Sequence, residues 1–341
     1  MEKILRIGII GAGRISKSHT PALAQRMPQV KVVKLCDIDL DAAHALAGPL
    51  GIPVCRDYQE LITDPGIDAI FIFSSTDTHA QMCIEAAVAG KHIFCEKPID
   101  RDAGIIKNVI AAVEKAGVKF QVGFNRRFDK NFLHIRKQVA AGAVGEVQII
   151  KISSRDPQAP PEEYVRGSGG IFADMTIHDF DMVQYLSGAR VTEVSTYGAN
   201  LIDPAIKKAG DVDTCIIMLK LDSGALAVID NSRQAVYGYD QRVEVFGSKG
   251  CVMATNETLD NTVLSTAEGV FHSKPLWFFL ERYKDAFMEQ DRQFVEACLQ
   301  DKPTPVGVRD GLYPVLIADA ALKSSKLGGM PVKVDSIEQN K

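Results

Sequence analysis

The chain has 341 residues, 46% of them hydrophobic and 24% charged, with a formal net charge of -4. That length exceeds what one hydrophobic core usually supports, so two domains are expected, and the slight negative charge without a Lys/Arg block removes the footprint of a nucleic-acid or anionic-membrane partner. Seven scattered cysteines without a C-x-x-C pair argue against a disulfide framework or a cysteine-built zinc site, and no apolar run reaches about 18 residues.

The amino terminus, "MEKILRIGII", passes from charge directly into strand with no cleavable apolar core, so a cytoplasmic protein is expected. Residues 1–123 then alternate short β-branched runs with amphipathic stretches, the pattern of parallel strands joined by crossover helices. "ILRIGII", "VKVVKLC", "DAIFIF", "KHIFCEK" and "KFQVGF" are the strand candidates. "HAQMCIEAAVAG" and "AGIIKNVIAAVEKAG" are helix candidates, each ending in a glycine suited to a carboxy-terminal cap.

Gly8, Gly11 and Gly13 stand at the end of the first strand, in "RIGIIGAGRIS". Gly11-x-Gly13 permits the tight turn and close backbone approach that bring a pyrophosphate to the start of the next helix. Ser16 replaces the third glycine of the dinucleotide fingerprint. Asp37, at the end of the next strand, stands where an acid meets the adenosine ribose hydroxyls; it would repel a 2'-phosphate, and Asp39 adds a second charge. NAD is therefore expected over NADP. A glycine turn serving packing alone is the competing reading, disfavoured by strand, turn, helix and acid in register.

Two more loops follow strands at the ends where ligands of open parallel sheets bind. "SSTDTH", residues 74–79, can cap the next helix through Thr76 or Thr78. "CEKPID", residues 95–100, places Glu96 and Lys97 just before Pro98. Capping and a surface turn explain these two loops equally well when each is taken alone.

After Phe124 the rhythm changes, and residues 124–341 read as a second, α+β domain. "VGEVQIIKISS", "ARVTEVSTYGAN", "DTCIIMLKLDSGALAVIDNSR", "QRVEVFGSKGCVMA" and "DNTVLST" are strands linked by tight turns such as Asp222-Ser223-Gly224, which favours an antiparallel sheet. The carboxy-terminal part, from "LWFFLERYKDAFMEQDRQFVEACL" to "GLYPVLIADAAL", returns to helix, and the sequence does not assign it to either domain. Within this half, "GGIFADMTIHDFDM" (residues 169–182) reads as an apolar helix carrying Asp174, His178, Asp179 and Asp181. Ionised groups in such a setting need partners or a task.

Taken in order, "GIIGAGRIS", "STDTH", "EKP", "GFNRRFD" and "GGIFADMTIHDFDM" resemble the glucose–fructose oxidoreductase, inositol dehydrogenase and rhizopine-catabolism family (Gfo/Idh/MocA). "EKP" followed some 75 residues later by D-x-x-x-H is the specific part. Within the family, "SSRDP", "SGGIFADMTIHDFD" and "YGYDQRVEVFGS" are most similar to inositol 2-dehydrogenases. The resemblance implies an N-terminal Rossmann domain, a C-terminal domain on a large, open, mainly antiparallel sheet, and homodimers or homotetramers formed through that sheet. It implies NAD-dependent oxidation of a cyclic polyol, myo-inositol or scyllo-inositol, to a keto-inositol, with no metal.

By the family pattern Lys97, Asp174 and His178 carry over as catalytic residues. The cofactor contacts expected are Gly11, Gly13, Arg14 and Ile15 of the first loop, Asp37, then Ser74, Thr76 and His79, and finally Glu96 and Lys97. Oxidising a secondary alcohol requires a proton to leave oxygen as a hydride leaves carbon. At i and i+4 of a helix, Asp174 can hold one nitrogen of His178 and leave the other for the substrate hydroxyl. Lys97 would stabilise developing alkoxide charge. Asp181 lies near the same face as a hydroxyl ligand, while Asp179 points elsewhere, toward an arginine partner. With Lys97 and His178, the other expected substrate contacts are Arg127, Asp156, Tyr237 and Tyr239. A structural charge network and an Asp/His metal site are the rivals for this helix. A sugar dehydrogenase and a non-catalytic NAD-binding sensor are the rival functions.

Overall fold

In this computed structural model, which describes residues 3–334, the alternation of the first half becomes a six-stranded parallel sheet. Its elements are β1 (Leu5–Ile10), α1 (Ser16–Gln25), β2 (Val30–Cys36), α2 (Leu40–Ala47), β3 (Val54–Cys55), α3 (Gln59–Ile62), β4 (Ala69–Ile72), α4 (Thr76–Val88), β5 (His92–Cys95), α5 (Ala103–Ala116) and β6 (Phe120–Val122). The order β3-β2-β1-β4-β5-β6 reverses direction between β1 and β4, the crevice where doubly wound sheets bind ligands. Covered on both faces, a central strand such as β4 buries all four of its side chains, which is why it reads as an unbroken apolar run. β3 is two residues long and left no pattern in the sequence to find.

α5 shows how locally these elements are specified. Asp102 caps it, its carboxylate accepting from the Gly104 and Ile105 N–H groups, and Gly117 ends it at φ 66°. Between them Ile106, Val109, Ile110 and Val113 form the buried stripe at helical spacing. Loss of the cap alone, in Asp102→Ala, costs about 1 kcal/mol.

The chain divides into two compact units, Met1–Phe128 with Asp285–Val315, and Asp129–Lys284 with Leu316–Lys341. A single cut at 123/124 therefore misses a return: Phe294 and Val295, from the helix Lys284–Gln300, belong to the first unit's core with Ile7, Ile9, Leu35, Phe71 and Phe94. Phe71 and Phe94 stack at 5.1 Å, and Phe294 meets both edge-on. Their burial explains the return, since each such side chain contributes about 1.5–3 kcal/mol when removed from water.

The second unit contains α6 (Lys130–Ala140), β7 (Val147–Arg155), α7 (Glu162–Ser168), α8 (Ile177–Ser187), β8 (Val191–Ala199), β9 (Thr214–Leu221), β10 (Leu226–Ser232), β11 (Asp240–Gly247), β12 (Gly250–Ala254), a hairpin of β13 (Val263–Thr266) with β14 (Gly269–His272), and β15 (Val332–Lys333). Its seven-stranded sheet runs β12-β11-β7-β10-β9-β8-β15, antiparallel except where β7 and β10 lie parallel. β9 buries every second residue, the signature of a sheet covered on one face. Cys215, Ile217 and Leu219 turn inward with Ile150, Ile152, Ile229 and Val245. The opposite face exposes Ile149, Ile216, Met218, Leu226, Phe246 and Met253. No described helix is long and apolar enough to cross a membrane.

Candidate active site

At the end of β1, Gly11 adopts φ +103°, and a Cβ there would stand 2.6 Å from the Phe73 carbonyl group. Only glycine fits between the two neighbouring strands. Gly13 has open space where its Cβ would be, and Arg14 is exposed beside it. Ser16, in place of the third glycine, is fully buried with its hydroxyl 3.0 Å from that of Thr20, so the substitution is absorbed as helix packing. The Asp37 carboxylate accepts from the Ala12 N–H at 2.6 Å and from the Asp39 N–H at 2.8 Å, tying the glycine loop to the end of β2. Asp39 also caps α2. Open backbone at the glycine loop and a half-buried carboxylate at the neighbouring strand end fit a dinucleotide.

The next two loops are joined by His79. Its Nδ1 lies 2.9 Å from the Pro98 carbonyl oxygen and its Nε2 3.0 Å from that of Ser74. The ring is 2% exposed and both nitrogens are occupied by backbone, so His79 braces the loops and is not open to a cofactor as expected. The Ser74 hydroxyl lies 2.7 Å from that of Thr78, which also reaches the Ser75 carbonyl, while α4 begins at Thr76 without a side-chain cap. Glu96 is buried, 3.6 Å from Nε2 of His19, and Lys97 is half-buried. Arg127 donates to Asp310 at 3.1 Å.

The second unit holds the other cluster. Gly169 and Gly170 both have positive φ, and a Cβ on Gly170 would stand 2.8 Å from Asp211, whose other carboxylate oxygen accepts from the Ile171 N–H. Beyond Ile171 the backbone departs from the expected single α-helix. Phe172–Thr176 is a π-turn, and α8 begins only at Ile177. Within the wider turn the Thr176 hydroxyl stands 3.2 Å from the Ile171 carbonyl oxygen and 2.5 Å from the distant Asn231. Asp174 therefore sits on the π-turn and His178 on the α-helix, so the simple i to i+4 geometry does not apply; such bulges concentrate at functional sites.

Asp174 accepts from Tyr164 at 3.0 Å and lies 3.3 Å from Arg233, which also lies 3.3 Å from Asp156. Arg233 is 2% exposed, and it is the residue that sequence reasoning missed here. Asp179, for which an arginine is expected, takes hydrogen bonds from Ser154 and Asn231. Asp181 is buried at 1% exposure. Burial pushes the Asp211 carboxyl up, against the lowering effect of the Val212 and Ile171 N–H groups and Arg233.

Two expected substrate contacts lie elsewhere in this unit. Strand residues alternate faces, so Ser154 is on the covered face and Arg155 turns to the open one, while Asp156, just past the strand, meets the enclosed Arg233. Tyr237 belongs to that open face: it donates to Asp240 at 2.6 Å and lies 3.3 Å from Arg155, which pairs with Asp230. Tyr239 is a core residue, packed edge-on against Phe278 and Tyr283.

Residues 5–124 match the oxidoreductase family with an NAD-binding Rossmann fold, and residues 132–253 match the GFO/IDH/MocA C-terminal domain. The chain is 49% identical over 340 residues to the uncharacterized oxidoreductase YrbE of Bacillus subtilis, covering 99% of each chain. It is 44% identical to the myo-inositol 2-dehydrogenase of Thermotoga maritima, covering 94% of this chain and 96% of the relative. Among solved structures, scyllo-inositol dehydrogenase from Lactobacillus casei with bound NAD(H) and scyllo-inositol matches with a TM-score of 0.92 at 29% identity, over 98% of this chain and all of the other. On these matches over both halves, the chain belongs to the Gfo/Idh/MocA family of NAD-binding oxidoreductases.

Proposed function

We propose that the chain is an NAD-dependent inositol 2-dehydrogenase, oxidising one secondary alcohol of myo-inositol or scyllo-inositol to a keto-inositol. The observation that carries this reading is the end-to-end similarity to a myo-inositol 2-dehydrogenase, which covers 94% of this chain. NAD supplies the hydride acceptor. His178 takes the hydroxyl proton, and the Lys97 ammonium stabilises the negative charge that develops on the same oxygen. Asp174 favours the imidazolium that forms on His178, with Tyr164 and Arg233 holding its carboxylate in place. Asp156, Asp181 and Arg127 are the remaining candidates for the ring hydroxyls.

In this reading the first unit binds NAD through its glycine loop, Asp37 and the loops at Ser74 and Glu96, and the second selects the substrate. The open face of the second sheet joins subunits as a dimer or tetramer, since it exposes Ile216, Met218, Leu226 and Met253 at 52–57% among ion pairs such as Arg155–Asp230, a mixed surface suited to a partner. The test is NADH formation by purified protein with NAD or NADP against myo-, scyllo- and D-chiro-inositol, glucose and xylose. NAD-dependent turnover of one inositol is expected. Turnover of an aldose alone would replace the substrate, and NAD binding without any turnover would leave a sensor.

A further inference from the structure

The Glu96-Lys97-Pro98 loop is flanked by two fully enclosed histidines to which the proposed chemistry gives no task. His19, on α1, has Nδ1 at 2.7 and 2.9 Å from the two Asp291 oxygens and Nε2 at 3.6 Å from Glu96 Oε1. Its ring stacks on Phe73 at 4.5 Å and meets Phe287 edge-on, so it has no freedom to turn. The Glu96 carboxylate is confined from the other side as well, because a Cβ on Gly123 would stand 2.5 Å from the same oxygen. His79 holds the far end of the loop through the Pro98 carbonyl and is itself anchored at Ser74.

We propose that His19 and His79 are positioning residues that grip this loop from its two ends, one at the Glu96 carboxylate and one at the Pro98 carbonyl, and so fix where Lys97 presents its ammonium. The proposal rests on reading the chain as an NAD-dependent dehydrogenase. Three consecutive residues are involved: Pro98 is hydrogen-bonded to one buried ring and Glu96 faces the other across an ion pair at 3.6 Å, which leaves the middle residue little backbone freedom. Carbonyl oxygens only accept, so a ring that faces two of them donates at both only as the imidazolium. His19 lies between two carboxylates, which favour the same state. For His19, burial pulls the imidazole down but the charge and hydrogen bond of Asp291, with Glu96, push it up to about 9. For His79, burial again pulls the imidazole down, and the Pro98 and Ser74 carbonyls, one at each nitrogen, favour the charged ring.

Buried histidines that only knit the core together would give the same burial, so the test must separate the loop-facing nitrogen from the anchoring one. The Asn amide nitrogen takes the place of imidazole Nδ1, and that of Gln the place of Nε2. His79→Asn keeps the donor toward Pro98 and His79→Gln keeps only the one toward Ser74. His19→Gln keeps the donor toward Glu96 and His19→Asn only the one toward Asp291. The readouts are melting temperature, NAD affinity by calorimetry without substrate, and kcat and KM for the inositol. The variants that lose the loop-facing donor, His79→Gln and His19→Asn, are expected to lose about tenfold or more in kcat relative to their counterparts at similar melting temperature, with KM for inositol changing less, because misplacing a reacting group by ~1 Å costs on the order of a hundredfold. NAD affinity should weaken in the same two variants.

Activity that follows melting temperature whichever nitrogen is kept would overturn the proposal. Nitrogen-15 spectra of the wild-type protein at neutral pH provide an arm that needs no variant to fold: two imidazolium rings are expected, and a neutral His79 would overturn the two-sided grip. A wild type that oxidises no inositol would sink the proposed function instead, and the order of NAD affinities would still decide the role of the loop.

Discussion

In the first unit three groups around the strand ends are enclosed by their neighbours, with His19, His79 and Glu96 at 0%, 2% and 7% exposure. In the second, Asp174 and Asp156 are half-buried against the enclosed Arg233, and His178 is half-buried as well. The difference follows the ligands proposed for each. A dinucleotide presents the same phosphates and riboses every time, so its cradle can be fixed by backbone carbonyls and buried rings. A proton acceptor must meet a hydroxyl and change charge during the reaction, so it has to stay within reach of a ligand. Rigid support thus lies beneath both sites, but only the second keeps its titrating group near the surface.

The largest effect that would break this contrast is expected at the cradle. Gly11→Ala forces a side chain against the Phe73 backbone at a φ of +103°, and NAD affinity measured by calorimetry should fall on the order of a hundredfold, the strain of such a residue being about 1–3 kcal/mol before the clash is added. Affinity near that of the wild type would show that the loop does not hold the cofactor closely. Next comes Arg233→Met, which removes the cation shared by Asp156 and Asp174. Breaking a buried ion pair costs about 3–5 kcal/mol, read from urea unfolding, and a loss under about 1 kcal/mol would mean the carboxylates do not depend on it.

A smaller effect on folding, but a visible one on mass, is expected from the open face of the second sheet. Met218→Asp should change protomer stability by only about 0.5 kcal/mol, as exposed substitutions do, yet lower the oligomer mass seen by light scattering. An unchanged mass would place the subunit contact elsewhere.

The smallest is a slope with pH. His19 rises from the ordinary imidazole value of 6.5 to about 9 on folding, against burial and through Asp291 and Glu96, so the folded chain holds more protons than the unfolded one between those values. Its contribution is complete below about pH 6.5 and is lost as pH rises through about 9. Urea midpoints should therefore decline between pH 6.5 and 9.5, and the decline should shrink in His19→Gln. A flat or rising midpoint would mean the ring is neutral when folded.

Much of this was legible from sequence because the signals are local. Gly11 is recognisable because a left-handed turn between strand and helix admits little else, and the strand runs are recognisable because burial on both faces leaves them continuous. The covered and open faces of the second sheet follow from alternation, whereas Tyr237 sits in the turn between β10 and β11, where no such repeat applies. Other features had no local trace. His19 and Asp291 are 272 positions apart, and Arg233 and Asp174 are 59 apart, so nothing in either neighbourhood announces the partner. In the π-turn Thr176 meets Ile171 and a distant Asn231, which a helical repeat does not reveal. Tyr239 illustrates the reverse error: a residue type suited to binding a polyol is equally suited to an aromatic core.

The division between a cofactor cradle and a proton acceptor is tested most directly by His178→Ala, with NAD affinity and inositol oxidation measured on the same preparation. Affinity within about twofold of the wild type, with turnover reduced by about a hundredfold or more, is the predicted result for loss of a general base. Turnover close to wild type would contradict the assignment of His178, and a parallel collapse of NAD affinity would contradict the separation of the two tasks.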